Sequence, residues 1–100
     1  MSTLTSKQRR WLRGRAHDLK PVVQLGTKGL TEPVVEAVDQ ALETHELIKV
    51  RLVGEREERE VMAEEISDRV EAHLVGVTGR VAILFRPQPE SENPLRLPEG

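Results

Sequence analysis

The chain has no cysteine and no tyrosine, and its only aromatic residues are Trp11 and Phe85. Without thiols there are no disulfides and no thiolate metal sites, which fits a cytosolic protein. Proteins that read single strands by stacking bases on a sheet need several exposed rings, and two rings leave none to spare. No stretch approaches the ~20 apolar residues of a membrane-spanning helix. Met1 to Thr5 lack the apolar core of a secretory signal. His17, His45 and His73 share no metal-ligand spacing, no Ser/His/Asp or Cys/His arrangement occurs, and no cofactor motif is found. These absences point away from an enzyme, and neither a cofactor nor a metal is expected.

What remains is a soluble composition, 37% hydrophobic and 32% charged, in 100 residues. That length holds one domain around a single core. The net charge of −2 hides a strong asymmetry. Residues 1 to 30 hold seven Lys or Arg against one acid, net +6, whereas residues 31 to 79 hold five against thirteen, net −8. A basic segment of this kind attracts polyanions even in a protein that is acidic on average.

Thr5-Ser6-Lys7-Gln8 has capping-box spacing and predicts a helix from Ser6 to about Asp18. Leu12, Ala16 and Leu19 share its apolar face, with Trp11 at the margin, and Arg10 and Arg13 point away. Five Lys or Arg fall between Lys7 and Arg15 with no acid among them, so the helix reads as a polyanion surface rather than a merely solvated face. Pro21 ends it, and Val22 to Leu25 reads as a short strand. Thr31 caps a second helix with Pro33 in its first turn and an apolar stripe of Val34, Val35, Val38, Ala41 and Leu42. Leu47 to Leu52 alternates as a half-buried strand with Lys49 and Arg51 on its wet face. Those two cations either extend the basic surface or simply face water.

Glu55 to His73 reads as a third helix through Met62, Ile66, Val70 and Leu74, its acids interleaved with arginines as a solvated face. Val75 to Val77 and Val81 to Phe85 predict two strands joined by a turn. Four prolines from Pro87 onward predict a flexible tail over residues 88–100. The order αβαβαββ predicts an α+β fold, a two-layer sandwich with the helices on one side of a four-stranded mixed sheet.

The most informative segment is Gly26-Thr27-Lys28-Gly29, set between the first strand and the second helix. Glycines let a ligand approach the backbone without meeting a Cβ, and the following helix offers unpaired N–H groups and a partial positive charge. A nucleotide P-loop needs two further residues before its second glycine and a Lys-Ser/Thr pair after it, so NTP hydrolysis is disfavoured. A Gly-x-x-Gly clamp on a sugar-phosphate backbone fits the spacing better.

The blocks Leu4-Thr5 through Gln8-Arg9, Lys20-Pro21-Val22-Val23, Gly26 to Thr31, His45 to Val50 and Leu84-Phe85-Arg86-Pro87 together resemble the CRM, or YhbY-type, RNA-binding domain. The resemblance covers about Leu4 to Pro87 and implies a CRM domain over residues 1–87 in a stand-alone bacterial protein. It further implies a fold similar to the C-terminal domain of bacterial translation initiation factor three. The implied partner is ribosomal RNA or a precursor of the large ribosomal subunit, bound in the cytoplasm by a monomer. By resemblance, Gly26, Thr27, Lys28 and Gly29 form the RNA-contacting loop. Arg9, Arg10, Arg13 and Lys20 supply the surrounding field. The competing expectation is a ribosome-associated adaptor whose acidic second and third helices dock a basic protein.

Overall fold

A computed structural model describes residues 3–92 and 94–100; the parts of the expected domain and tail that fall on Met1, Ser2 and Asn93 lie outside the described residues. The elements follow the expected order: α1 (Ser6–Ala16), β1 (Val23–Gln24), α2 (Glu32–Thr44), β2 (Leu47–Arg51), α3 (Arg56–Arg69), β3 (His73–Thr78) and β4 (Val81–Phe85). The capping box at α1 is present in full. The Thr5 hydroxyl accepts from the Gln8 N–H at 3.1 Å, and the Gln8 side chain accepts from the Thr5 N–H at 3.0 Å.

The four strands form one mixed sheet in the order β1-β2-β4-β3. β1 runs parallel to β2, and the β2/β4 and β4/β3 pairs are antiparallel. Pairing places Gln24, Arg51, Val81 and Thr78 in one transverse row. Residues in register share a face, so this row and the next one, Lys49, Ile83 and Gly76, belong to the same side of the sheet.

The α+β class and the mixed sheet are as expected, but the helices do not all lie on one side. α2 and α3 pack with Ile48, Val50, Ala82 and Leu84 around Val38, Leu42, Ala63 and Ile66. α1 packs on the opposite face, where Leu12 and Ala16 meet Leu47, Val75, Ile83 and Phe85. The expected two layers are therefore three. The reason is legible in β4: Val81-Ala82-Ile83-Leu84-Phe85 is apolar at both parities, and a strand of that kind has to be covered on both faces.

One other boundary differs from expectation. α3 stops at Arg69 because Glu71 adopts φ 55° and the Ala72 N–H turns back to the Ser67 carbonyl. Leu74, expected at the end of the helical stripe, thus belongs to β3, as does His73. The tail has no regular structure among its described residues, and it makes contacts with the domain. Leu95 and Leu97 pack on the α1-side core. The buried Glu46 carboxylate accepts from the N–H groups of Gln88 (3.2 Å) and Leu95 (2.8 Å), and the Gln8 amide donates to the Pro98 carbonyl at 3.1 Å. Apolar residues among the prolines supply what a purely polar tail would lack. Among the described residues no helix is long and apolar enough to cross a membrane.

Candidate nucleic-acid interface

The Gly26–Gly29 loop leaves the sheet at the end of β1, where Leu25 donates its N–H to the Arg51 carbonyl at 2.9 Å. The loop closes on itself through the Gly29 N–H to the Gly26 carbonyl, 2.9 Å. Gly29 is buried with φ 71°, and a Cβ there would sit 3.5 Å from the Met62 methyl. The positive φ calls for glycine, whereas the Met62 methyl would be in ordinary contact with a Cβ. Gly26 is different, since nothing lies within 4 Å of a Cβ built on it. The tip residues Thr27 and Lys28 are exposed. Their N–H groups have no hydrogen-bond partner among the described residues, and Lys28 makes no ion pair there.

The following helix is a weaker anion seat than its sequence suggests. Thr31 occupies the N-cap position without a side-chain cap bond, leaving the first turn of α2 uncapped. However, Glu32 already brings a carboxylate to that turn and pairs with Arg69. The loop tip, rather than the helix end, is the better donor group.

The register gathers three turns at this one end of the sheet: the Gly26–Gly29 loop after β1, Gly54 after β2, and the Gly79-Arg80 turn between β3 and β4. Arg59 ties two of them together, donating to the Gly54 carbonyl at 2.7 Å and to the Gly79 carbonyl at 3.1 Å. Arg51 and Arg80 are exposed beside them. Glu58 stands by the loop too, but its carboxylate accepts the Glu55 N–H in the capping box of α3.

The expected cations separate along α1. Arg13 lies near the loop end, in a cleft with Lys49 and Thr78, and Lys20 follows the helix, exposed. Arg10 is exposed on the outer face of α1. Arg9 does not join them. Its guanidinium donates to the carbonyls of Leu74 (2.5 Å) and Val75 (3.2 Å) at the other end of β3, beside His73. These bonds serve the β-bulge between Leu74 and Gly76, where the ladder leaves carbonyls without regular partners. His73 is stacked on Phe85 at 6.1 Å. Its pKa lies below the ordinary histidine value, first because of burial and second because of the nearby Arg9 charge.

In the sequence Lys49 and Arg51 fit either a basic surface or a wet strand face, and Arg80 carries no signal of its own. The alternation of β2 puts Lys49 and Arg51 on one face; only the strand order shows that this face opens beside the loop. Lys49 donates to the His17 and Leu19 carbonyls at 3.2 and 3.0 Å, so it also stops the end of α1. Trp11 is half-buried on the α1-side core, with the Arg15 guanidinium 5.5 Å over its ring, and is thus a packing residue. No group of three or more His, Asp or Glu side chains among the described residues is arranged to hold a metal ion.

Comparison with known proteins agrees with this architecture. The CRS1/YhbY (CRM) domain model matches residues 4–86. The chain is 42% identical to a Haemophilus influenzae protein named RNA-binding protein, over 92% of this chain and 94% of that one. It is 36% identical to a protein of Pseudomonas aeruginosa named probable RNA-binding protein, over 87% of this chain and 85% of the relative. The solution structure of a Staphylococcus aureus protein superposes with a TM-score of 0.84 at 33% identity, covering 96% of this chain and all of the other.

Proposed function

The chain belongs to the CRS1/YhbY (CRM) domain family, and from that membership and the loop geometry we infer that it is a non-enzymatic RNA-binding protein. The observation that carries the reading is the exposed Thr27-Lys28 tip, with two N–H groups and an ammonium that have no partner among the described residues, at the end of the sheet where Arg51 and Arg80 are also exposed. N–H groups and cations together grip phosphate oxygens. Such contacts position a protein on RNA without identifying bases.

Arg10, Arg13 and Lys20 contribute the field around the loop, while Arg9 acts chiefly through the fold. The RNA of this reading is ribosomal RNA or a precursor of the large subunit, bound in the cytoplasm by a monomer that needs no cofactor. The relatives named as RNA-binding proteins support RNA as the partner class.

The test is binding of a structured ribosomal RNA fragment by the full chain. The double substitution Thr27→Asp with Lys28→Asp leaves the melting temperature in place and weakens binding at least tenfold, about 1.4 kcal/mol. Unchanged affinity in the folded variant would remove the loop from the interface. Native binding weakens steeply between about 50 and 200 mM salt if several phosphates are held. Salt-insensitive binding would instead favour docking of a protein on the α3 surface, where Val61 is exposed between acidic neighbours.

A further inference from the structure

α1 covers only part of its side of the sheet. Beyond Ala16 the helix ends, and the row Gln24, Arg51, Val81 and Thr78 continues past it toward the loop. Between the last turns of α1 and this row lies a cleft of about 300 Å³ lined by Arg13, His17, Lys49, Thr78, Val81 and Ile83. That is the small end of the range of ligand sites, about 300 to 1,000 Å³. Its floor is aliphatic and its rim is cationic and polar.

The rim has hydrogen-bonding capacity unspent. The side chains of Arg13, His17 and Thr78 have no hydrogen-bond partner among the described residues, and Lys49 uses two of its three donors on α1 carbonyls. Gly76 borders the same side chain, since a Cβ built on it would be in ordinary contact with the Arg13 Cδ and Nη1 atoms at 3.9 Å. Neither aromatic residue is there: Trp11 and Phe85 pack in the α1-side core. The planar groups that line the cleft are the Arg13 guanidinium and the His17 imidazole, and Val81 and Ile83 are the aliphatic part of the lining.

We propose that this cleft takes a single unpaired base of the bound RNA, held between the Arg13 guanidinium and the Val81–Ile83 floor, with Thr78, His17 and Lys49 reaching the base edge or its ribose. The proposal rests on the RNA reading and deepens it, because it adds a place for sequence or shape discrimination to a loop that offers phosphate contacts. β1 lies two strand spacings, about 10 Å, from β4. A few nucleotides therefore bridge the cleft and the Lys28 tip, with Arg51 between them. Arginine planes serve as stacking partners for splayed-out bases in RNA recognition generally.

The experiment compares two synthetic RNA hairpins of equal phosphate count at one salt concentration, one with a fully paired stem and one with a single unpaired nucleotide in the stem. The native protein binds the second about fivefold or more tightly. Arg13→Lys keeps the charge but not the plane, so the ratio of the two affinities falls to about one, whatever the change in either affinity alone. Thr78→Val, which retains a β-branched strand residue, reduces the preference and serves if Arg13→Lys lowers the melting temperature. A 4-thiouridine at the unpaired position crosslinks to peptides containing Arg13, His17 or Thr78. Equal native affinity for the two hairpins, a preference surviving both substitutions, or a crosslink confined elsewhere overturns the cleft while leaving the RNA reading intact. If neither hairpin binds, the RNA reading falls and the cleft with it.

Discussion

The two faces of the sheet are built to different ends. On one, α2 and α3 close over Ile48, Val50, Ala82 and Leu84 and leave these strand residues sealed. On the other, a single helix and two tail leucines cover Leu47, Val75, Ile83 and Phe85, and Lys49, Arg51, Thr78 and Val81 are left at least partly open to solvent. The first face contributes most of the stability, because buried apolar area dominates folding free energy. The second gives up coverage, and the uncovered half carries the cations next to the glycine loop. The proposed binding surface is thus a piece of sheet that α1 is too short to reach.

The largest effect that would test this division comes from the sealed face. Ile66→Ala removes a fully buried side chain between α3 and the sheet and is expected to cost 2–5 kcal/mol, about the range for such truncations. Chemical denaturation measures it, and RNA affinity of the folded fraction stays native. The counterpart on the open face is Arg51→Ala, which removes an exposed cation from the row beside the loop. It should leave stability within about 0.5 kcal/mol and make the salt dependence of RNA binding shallower, by about one unit of slope for each phosphate that is no longer neutralised. A loss of stability at Arg51 comparable to that at Ile66 would erase the distinction between the faces.

A finer comparison lies within α1, between two arginines one turn apart. Arg9 donates to two carbonyls of β3, and truncating a charged donor of that kind costs about 1.5–3 kcal/mol where it is well buried. Arg9 is half-buried, so about 1–2 kcal/mol is expected for Arg9→Ala, read as a lowered melting temperature. Arg13→Ala has the opposite profile: near-native melting and weaker RNA binding. If Arg9→Ala spares the melting temperature and flattens the salt slope, the two residues have been assigned the wrong way round.

Local signals in the sequence are sufficient for the local structure. Thr5 and Gln8 are three residues apart and form the capping box that their spacing requires; the glycine pair sits at the strand-to-helix junction. Long-range facts are not available in the same way. Nothing near Arg9 distinguishes it from Arg13, because its partners lie 65 and 66 residues away in the chain. Glu46 is a single acid between His45 and Leu47, yet it becomes the anchor of a tail more than 40 residues distant. The end of α3 departs from expectation because Leu74 happens to continue a step of four, while the left-handed backbone at Glu71 that breaks the helix has no glycine to announce it. Of the candidate interface, the loop is legible and the open sheet row is not, since that row exists only once β1, β2, β4 and β3 are paired.

The smallest effect concerns the end of α1 far from the loop, and it separates the two ends by pH. Burial, and next the Arg9 charge, hold the pKa of His73 below its ordinary value of 6.5. The unfolded chain therefore takes up this proton at higher pH than the folded protein does. Where the unfolded state binds more protons, stability rises with pH. The contribution of His73 is accordingly favourable above the unfolded value, declines as pH falls through it toward the lowered folded value, and becomes constant once both states are protonated. Denaturation midpoints of native protein and His73→Gln, measured across this window, should differ in slope, with the variant the flatter of the two. Arg9→Gln removes the second cause, so an NMR titration of His73 should move upward toward the ordinary histidine value without reaching it, because burial remains. RNA binding through the loop should not follow either change. If acidification through this window altered RNA affinity in native protein but not in His73→Gln, the two ends of α1 would be coupled, and the division between a structural end and a binding end would have to be abandoned.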